Sequence, residues 1–411
     1  MDKKQKCLIC GNDINPFVDF GKMPIANGFL MQNQIKDEYF FSLKVAFCEN
    51  CKMVQLTEQP DREKMFHENY AFFSSTSEYM KLHFRDFANS VTQLQSLTKD
   101  SFVVEIGCND GIMIQNFKNQ DIGHLGVEPS KNVAAVAKEK GVNVVSEFFD
   151  VALAKKIISE YKKADAILSA NVMCHIPYMH SVFEGIKELL KEDGLFIFED
   201  PYLGDIVEKN SFDQIYDEHV FYFSALSVSK LAQMHNLELV DTIKQSTHGG
   251  SMRYVIAHKG AKEISQNVKN TIENEIAIGL DNEKTFVNFA NNVANIKTDL
   301  HAILTDLKAK NKKVVAYGAT SKSTTVANYC KISSDLVDFV SDTTPIKQNK
   351  LTPGMHIPVL AHEEFRKASP DFVLLFAWNH AKEIMSKEFE FMQSIGAKWI
   401  VYVPKVEILN P

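Results

Sequence analysis

The chain has 411 residues, of which 45% are hydrophobic and 24% charged, and its formal net charge is −7. This composition is typical of a globular protein, excludes a collagen-like or disordered chain, and fits two or three domains at this length. Because nucleic-acid binding needs clustered Lys and Arg, the acidic total argues against a DNA or RNA partner.

The sequence has no segment that predicts a membrane span or a secretion signal. Residues Met1–Cys10 lack an apolar core, and the longest apolar runs, Phe102–Gly107 and Phe372–Trp378, are far shorter than the roughly 20 residues that a spanning helix needs. We therefore expect a cytoplasmic protein without a membrane partner.

Two CxxC turns lie in the first 70 residues, among short strand-like runs and turn residues. They are Cys7-Leu-Ile-Cys10 and Cys48-Glu-Asn-Cys51. Four thiolates in two such turns predict a closed structural Zn²⁺ site, which a module this small needs in order to fold. Redox dithiols or chance spacing are the alternatives, and an iron–sulfur or two-metal site also stays open.

The next segment, Glu78 to about Leu97, has the spacing of an amphipathic helix. Its apolar positions are Tyr79, Leu82, Phe87, Val91 and Leu94.

Residues 101 to about 200 alternate short apolar runs with helical stretches, which predicts a parallel sheet covered by helices. The predicted strands are Phe102–Gly107, Gly123–Val127, Val142–Val145, Ala166–Ser169 and Leu195–Glu199.

A second α/β unit is predicted from Lys312 onward. Its strands are Val314–Tyr317, Leu336–Ser341, Phe372–Phe376 and Trp399–Val403. Between the two units, the polar stretch Glu263–Leu307 predicts two connecting helices with a break at Gly279–Asn282.

A glycine-containing turn follows the first strand of the central unit. Glu105, Gly107, Asn109 and Gly111 form the pattern ExGxNxG, and the next strand ends at Glu128. Glycines at a strand-to-helix turn let the backbone approach a ligand, and the later acid can accept hydrogen bonds from ribose hydroxyls. These residues resemble the first two motifs of class I methyltransferases, which bind S-adenosylmethionine. A dinucleotide site in a dehydrogenase is the main alternative.

Three further segments are rich in groups that can move protons. They are His67-Glu-Asn-Tyr70, Asn171-Val-Met-Cys-His175-Ile-Pro177 and Tyr216-Asp-Glu218-His219-Val-Phe-Tyr222. The second follows a predicted strand and should lie at the carboxyl edge of the sheet, where α/β folds bind ligands. Methylation of a carbon requires a base and a group that stabilises an enolate, whereas O-methylation requires only a base.

Additional segments match one enzyme family in order along essentially the whole chain. They are Gly21-Lys-Met-Pro24-Ile-Ala-Asn27-Gly-Phe-Leu, Tyr70 with Ser74-Ser-Thr-Ser77, His248-Gly-Gly-Ser251-x-Arg253, Tyr317-Gly-Ala and Pro353-Gly-x-x-Ile-Pro358. Together with the motifs above, they make the sequence similar to the sugar C-methyltransferases, which methylate C3 of nucleotide-linked 4-keto-deoxyhexoses.

The resemblance implies an α/β protein of three domains. They would be a small zinc-binding domain at residues 1–70, a central class I methyltransferase domain with a Rossmann-like fold at 71–258, and, at 259–411, a helical connection with a C-terminal Rossmann-like α/β domain that binds the nucleotide sugar. S-adenosylmethionine and structural Zn²⁺ would be the cofactors and a nucleotide-linked keto-deoxysugar the partner, bound by a monomer or weak homo-oligomer.

The resemblance also implies roles for individual residues. His219 would be the general base at C3, with Tyr70, His175, Tyr216 and Glu218 around the 4-keto group. Asn171 would join the residues of the glycine turn and Glu128 in the cofactor site. The implied substrate-binding residues are Tyr222, His248, Gly249, Gly250, Ser251, Arg253, Gly318, Ser321 and Lys322.

Some positions depart from the family pattern or have a second interpretation. Asp217 occupies a position that is often His in relatives, and Ser321-Lys322-Ser323 replaces a more common Ala-Lys-Gly. The cations Arg253, Lys322, Lys347 and Lys350 could meet a pyrophosphate or be solvated, and the His248-Gly-Gly segment could be a plain turn.

The sequence leaves two other functions open. One is O- or N-methylation of a sugar nucleotide or glycan on the same scaffold. The other is a zinc-ribbon binding protein whose methyltransferase domain is degenerate.

Overall fold

The computed structural model describes residues 5–60 and 74–411. The segment that contains His67 and Tyr70 therefore lies outside the described residues, as does the predicted boundary between residues 70 and 71. The division between residues 258 and 259 stays a prediction.

The N-terminal unit is an antiparallel sheet. Its strands are β1 (Gln5–Lys6), β2 (Asp13–Pro24), β3 (Phe40–Phe47) and β4 (Val54–Leu56). Neighbouring strands pair in chain order, and each CxxC turn lies beside a strand of the sheet. The sequence thus forms the small hairpin module that the cysteine spacing predicts.

The central unit is built around a second sheet. Its elements are α1 (Glu78–Leu94), β5 (Phe102–Ile106), α2 (Gln115–Lys118), β6 (Gly123–Val127), α3 (Lys131–Glu139), β7 (Val144–Val145), α4 (Val151–Glu160), β8 (Ala164–Ala170), α5 (Met179–Leu189), β9 (Leu190–Pro201), α6 (Leu203–Glu208), β10 (Phe221–Tyr222), α7 (Ala225–Met234), β11 (Leu237–Gln245) and β12 (Ser251–His258).

Among the described strands, the central sheet has the order β11-β12-β9-β8-β5-β6-β7. β5 to β9 run parallel, and β12 pairs antiparallel with both β9 and β11. Every residue of β5 is buried, as expected for a parallel strand that helices cover on both faces. The hairpin β11–β12 is a feature that the sequence analysis missed.

β10 does not join the central sheet. It pairs antiparallel with β4 and so becomes the last strand of the N-terminal sheet, in the order β1-β2-β3-β4-β10. The two units therefore share a sheet immediately after His219.

Two helices lead to the C-terminal unit. The elements are α8 (Gln266–Ala277), α9 (Glu283–Ala309), β13 (Val314–Tyr317), α10 (Ser321–Tyr329), β14 (Val340–Ser341), β15 (Val359–Leu360), α11 (His362–Ala368), β16 (Phe372–Leu375), α12 (Ala381–Ile395), β17 (Lys398–Val401) and β18 (Glu407–Leu409). The described strands form a sheet of order β15-β14-β13-β16-β17-β18, parallel except for β18.

The predicted helix break is confirmed. Gly279 takes a left-handed conformation (φ 79°), and the Asn282 side chain accepts a hydrogen bond from the backbone N–H of Lys284 and so caps α9. The α/β fold with an N-terminal cysteine module and two Rossmann-like units is likewise confirmed.

The predicted apolar face of α1 is partly wrong. Phe87 and Val91 are buried as expected, but Tyr79, Leu82 and Leu94 are 52%, 50% and 57% exposed. The buried stripe is Phe84, Phe87, Ala88 and Val91. These positions follow the i, i+3, i+4, i+7 spacing, whereas the face of Leu82 and Leu94 also carries the polar residues Asp86, Ser90 and Gln93, so only the first stripe is continuously apolar.

Candidate active site

The four cysteines of the N-terminal unit converge in one cluster. Cys7 Sγ lies 3.5 Å from Cys51 Sγ, and Cys10 Sγ lies 3.4 Å from Cys48 Sγ. All four sulfur atoms are within 4.8 Å of one another. This arrangement fits a tetrahedral Zn²⁺ ion with no open position, so the site is structural rather than catalytic.

A cavity of about 340 Å³ opens at the carboxyl edge of the central sheet. The N-terminal unit contributes Asn27 to its wall, and the C-terminal unit contributes residues 320–322 and 379–380. Most of the remaining wall comes from α1, from the loops that follow β5, β6, β7 and β8, from residues 214–219 and from His248. The cavity therefore lies where the three units meet.

One end of the cavity is formed by the glycine turn after β5. Gly107 has φ 73°, and a Cβ there would overlap the side chain of Val172. The carboxylate of Glu128 accepts hydrogen bonds from the backbone N–H groups of Asn109 (2.9 Å) and Ser130 (2.8 Å). These contacts hold the Glu128 carboxylate beside the glycine turn, where Gly107 leaves the backbone without a side chain.

The groups at this end fit S-adenosylmethionine. Asn171 lines the cavity, and its buried Oδ1 has no hydrogen-bond partner among the described residues. It can therefore accept from a ligand ammonium group. Burial raises the pKa of Glu128, although the hydrogen bonds from Ser130 and Asn109 oppose this shift and favour the carboxylate. Beside them, Phe84, Phe148 and Phe149 supply an apolar wall.

Two residues of the predicted cofactor motif lie behind the turn rather than on the cavity wall. Glu105 is 3% exposed, and burial raises the pKa of its carboxyl well above the usual range. Gly111 has φ 80°, and a Cβ there would lie 3.2 Å from Cβ of Ala137 in α3. Both residues shape the turn from beneath.

The other end of the cavity holds His219 with its ring fixed on both sides. Nδ1 lies 2.8 Å from the backbone oxygen of Gln214, and Nε2 lies 2.9 Å from the hydroxyl of Tyr216. Because a carbonyl oxygen only accepts, Nδ1 carries the hydrogen, and the lone pair of Nε2 accepts from Tyr216. This nitrogen is available as a base whenever the tyrosine hydroxyl turns to another acceptor.

Burial keeps the histidines of this end neutral. It lowers the pKa of His219 well below its usual range and that of His175 to about 4. The two rings stack with centroids 5.3 Å apart. An unprotonated imidazole is therefore the resting form of His219 at neutral pH.

Glu218 adds an acid next to the base. Its Oε1 accepts a hydrogen bond from Nδ2 of Asn27 (2.7 Å), and burial raises its pKa to about 7. Its neighbour Asp217 accepts from the backbone N–H of Ala26 (2.9 Å). The N-terminal unit thus holds the acidic pair in place.

The C-terminal unit contributes a buried cation. Lys322 lies in the first turn of α10, and its Nζ donates to the backbone oxygen of His248 (3.1 Å). Burial lowers the pKa of Lys322 to about 8. The Ser321 hydroxyl donates to Oδ1 of Asn27 (2.9 Å), and Gly318 permits close packing because a Cβ there would lie 2.7 Å from Cβ of Ala377.

Several predicted substrate residues are not on the cavity wall. Arg253 Nε donates to Glu199 (2.6 Å), and its guanidinium stacks over the ring of Phe87 at 3.8 Å. Tyr222 is fully buried. Gly249 packs against Trp378, Gly250 against Asp205, and the Ser251 hydroxyl donates to the backbone of Thr247. His248 does line the cavity.

The cavity also contains residues to which the sequence analysis assigned no role. Gln214 carries no local signal of function, because its role depends on contacts with distant parts of the chain. Asn27 lies in a segment that matches the enzyme family, but its contacts with Glu218 and Ser321 are distant in sequence. Asn379 and His380 could have been found, since they follow the predicted strand Phe372–Phe376 and so lie at a carboxyl edge.

The strand order of the central sheet, the glycine turn after β5 and the acid at the end of β6 define a class I S-adenosylmethionine-dependent methyltransferase. Three family models match the chain: "Putative zinc binding domain" at residues 7–66, "Methyltransferase domain" at 78–242 and "C-methyltransferase C-terminal domain" at 246–404.

The chain is 31% identical over 408 residues to C-methyltransferase NovU of Streptomyces niveus. The aligned region covers 98% of this chain and 97% of that protein. It therefore belongs to the family of sugar C-methyltransferases, enzymes that use S-adenosylmethionine and carry a zinc-binding domain. Membership confirms that the chain is a methyltransferase and that its cofactors are S-adenosylmethionine and Zn²⁺. It excludes the two other interpretations of the sequence, a dehydrogenase and a zinc-ribbon binding protein with a degenerate methyltransferase domain.

Other similarities cover less of the chain. It is 29% identical over 99 residues to a ubiquinone biosynthesis O-methyltransferase of Glaesserella parasuis, over 23% of this chain and 42% of that protein. A solved S-adenosylmethionine-dependent methyltransferase of Clostridium acetobutylicum matches 45% of this chain and 94% of its own, with 14% identity and a TM-score of 0.35. None of the helices within residues 5–60 and 74–411 is long and apolar enough to cross a membrane.

Proposed function

We propose that this enzyme methylates C3 of a nucleotide-linked 4-keto-deoxyhexose and that His219 removes the C3 proton. The observation that carries the proposal is the neutral, doubly fixed imidazole of His219 beside the buried acid Glu218. A base and an acid with opposite pKa shifts are the pair of groups that enolate chemistry needs.

The first step is proton transfer within the cavity. Nε2 of His219 takes the C3 proton, and the electrons of the C–H bond form the C3–C4 double bond as the C4 carbonyl becomes an enolate. The ketone already acidifies this proton, so the step needs no metal ion. The residue best placed to release Nε2 is Tyr216, whose hydroxyl can turn to the ketone oxygen as the substrate enters.

The charge on the enolate oxygen must be stabilised by donors. The protonated carboxyl of Glu218 supports this role because its pKa of about 7 leaves much of it protonated near neutral pH. Tyr216 is a second donor and His175 a neighbour of the base. S-adenosylmethionine, when bound at the glycine turn, supplies an electrophilic methyl group for the nucleophilic carbon.

A nucleotide sugar suits the C-terminal wall of the cavity. Lys322 is a buried cation in a protein of net charge −7, and it lies beside Ser321 and Thr320 at the start of α10. An ammonium group and a helix N-terminus together favour a diphosphate.

The substrate can be identified by mass spectrometry. We expect a gain of one methylene when the protein is incubated with S-adenosylmethionine and one series among dTDP-, GDP- and CDP-4-keto-deoxyhexoses. No gain with any of them, despite measured cofactor binding, would contradict the proposed acceptor.

The base is tested by the substitution His219→Asn. Turnover should fall by about 10²-fold or more, while the affinity for S-adenosylmethionine stays within a factor of about two. His124→Asn is the matched control, since His124 is half-buried outside the cavity. Deuterium exchange at C3 without cofactor separates this route from O- or N-methylation, because only C-methylation requires that proton to leave.

A further inference from the structure

Asp213 is a fully buried carboxylate in the turn that precedes the acid–base residues. Its Oδ2 accepts hydrogen bonds from Nε1 of Trp378 (2.5 Å) and from the hydroxyl of Tyr402 (2.7 Å). Both donors belong to the C-terminal unit. This turn is thus held by side chains that are distant in sequence.

The next residue along the chain holds the proposed base. The backbone oxygen of Gln214 accepts from Nδ1 of His219 (2.8 Å), and its side-chain Nε2 donates to the backbone oxygen of His248 (2.5 Å). One residue further, the oxygen of Ile215 accepts from the Thr325 hydroxyl of α10 (2.7 Å). Three consecutive residues are therefore fixed, and the middle one determines which nitrogen of His219 carries the hydrogen.

We propose that Asp213 is a positioning residue through which the C-terminal unit holds the Gln214 carbonyl and thereby fixes the tautomer and orientation of His219. The proposal rests on the proposed function and deepens it, since it gives the C-terminal unit a part in the chemistry as well as in forming the cavity wall.

The contacts explain why this effect would pass through Asp213. A buried acceptor with two side-chain donors has little freedom to move, and the peptide bond that joins it to Gln214 is rigid. If a donor is lost, the turn can shift, and the carbonyl of Gln214 shifts with it. A misplacement of about 1 Å in a catalytic group can lower turnover by about 10²-fold.

Tyr402→Phe is the test, because it removes one hydroxyl and leaves the ring in place. Tyr317→Phe is the matched control, since the Tyr317 hydroxyl donates to another buried carboxylate of the same unit, Glu388 (3.2 Å). Trp378→Phe is a second variant in case Tyr402→Phe does not fold; its ring also lies 5.5 Å from Nζ of Lys322, which makes it the less specific change.

The first readout needs no substrate. In protein labelled with ¹⁵N-histidine, the Nδ1–H signal of His219 is identified as the one that His219→Asn removes. We expect this signal to be lost or broadened by solvent exchange in Tyr402→Phe and retained in Tyr317→Phe. An unchanged signal in both Tyr402→Phe and Trp378→Phe would overturn the inference.

The second readout is turnover. We expect kcat of Tyr402→Phe to fall about tenfold or more with KM for S-adenosylmethionine unchanged. Added to His219→Asn, Tyr402→Phe should lower kcat little below that of His219→Asn alone, because both changes act on one group. A kcat no lower than that of Tyr317→Phe would overturn this inference alone. Full turnover in His219→Asn would instead overturn the proposed function.

Discussion

Burial sets the protonation states of the acid–base residues, and it does so in opposite directions. A buried imidazole loses its charge, so His219 is neutral, while a buried carboxyl keeps its proton, so the pKa of Glu218 rises to about 7. One buried environment thereby produces a base and an acid on consecutive residues of the cavity wall. The chemistry therefore depends on water staying out of this end of the cavity.

The pH dependence of turnover tests the role of Glu218. Because the protonated carboxyl is the proposed donor to the ketone oxygen, kcat should fall as pH rises through about 7. Glu218→Gln keeps an N–H donor and cannot titrate, so it should lower kcat but remove this basic limb over roughly pH 6 to pH 8. Persistence of the same limb in Glu218→Gln would contradict the role.

The affinity for the cofactor tests Glu128. Glu128→Ala removes a carboxylate proposed to accept from the ribose and also frees the N–H groups of Asn109 and Ser130. A hydrogen bond to a charged group contributes about 1.5–3 kcal/mol, so binding of S-adenosylmethionine should weaken about 10- to 100-fold by calorimetry. Glu147→Ala, at an exposed carboxylate, is the control and should bind normally.

Some residues of the candidate site could be predicted from the local sequence, and others could not. The positions of Gly107 and Glu128 at the cavity could be predicted, because each residue lies at the carboxyl end of a predicted strand of the parallel sheet. The role of Gln214 could not, because its backbone oxygen acts only through the position of His219, and any residue type supplies a carbonyl.

At the scale of elements, the apolar residues alone predict that α1 is a helix, and its polar residues are also needed to predict which face is buried. Leu82 and Phe84 are both apolar, yet one is half exposed and the other buried. Leu82 shares its face with the exposed polar residues Asp86, Ser90 and Gln93. Phe84 continues the buried stripe of Phe87, Ala88 and Val91.

The energetic difference between the two faces is measurable. Phe87→Ala should lower the free energy of unfolding by about 3–5 kcal/mol, because it leaves a cavity in the core. Leu82→Ala should cost less than about 1 kcal/mol, as at a half-exposed site. Chemical denaturation measures both, and equal losses would contradict this assignment of the buried face.

The zinc-binding module is an element on which catalysis should depend. Since β10 pairs with β4, unfolding of the module removes the partner of the strand that follows His219. Structural zinc contributes roughly 10–16 kcal/mol in small peptides, so chelation or Cys48→Ser should unfold the module and abolish turnover. Cys330→Ser should retain zinc by atomic absorption. Full turnover of the metal-free protein would contradict this dependence.

At the scale of the whole molecule, the catalytic residues depend on contacts between units that are distant in sequence. Asn27 of the N-terminal unit bonds both Glu218 and Ser321, and the Thr324 hydroxyl of α10 donates to the backbone of Ala26. Sequence patterns predicted each unit, because each is built from local periodicity. They did not predict this junction between the units, because contacts between distant residues produce no periodic pattern in the sequence.

Asp217 makes this junction sensitive to pH. It is buried between the N-terminal unit and Glu218, and burial, with the nearby charge of Glu218, raises its pKa from 3.8 to about 8. The folded protein therefore keeps a proton that the unfolded chain loses above pH 3.8. Because the folded state binds more protons in this window, the free energy of unfolding falls as pH rises toward 8.

Asp217→Asn removes this titration while leaving an oxygen to accept from Ala26. Between pH 5 and pH 8, the free energy of unfolding of the wild type should therefore fall relative to that of the variant, by on the order of 1–3 kcal/mol. Denaturant titrations at several pH values measure the difference, with the exposed Asp193→Asn as control. Parallel curves for the wild type and Asp217→Asn would mean that Asp217 is already ionised in the folded protein and would contradict the proposed pH sensitivity of the junction.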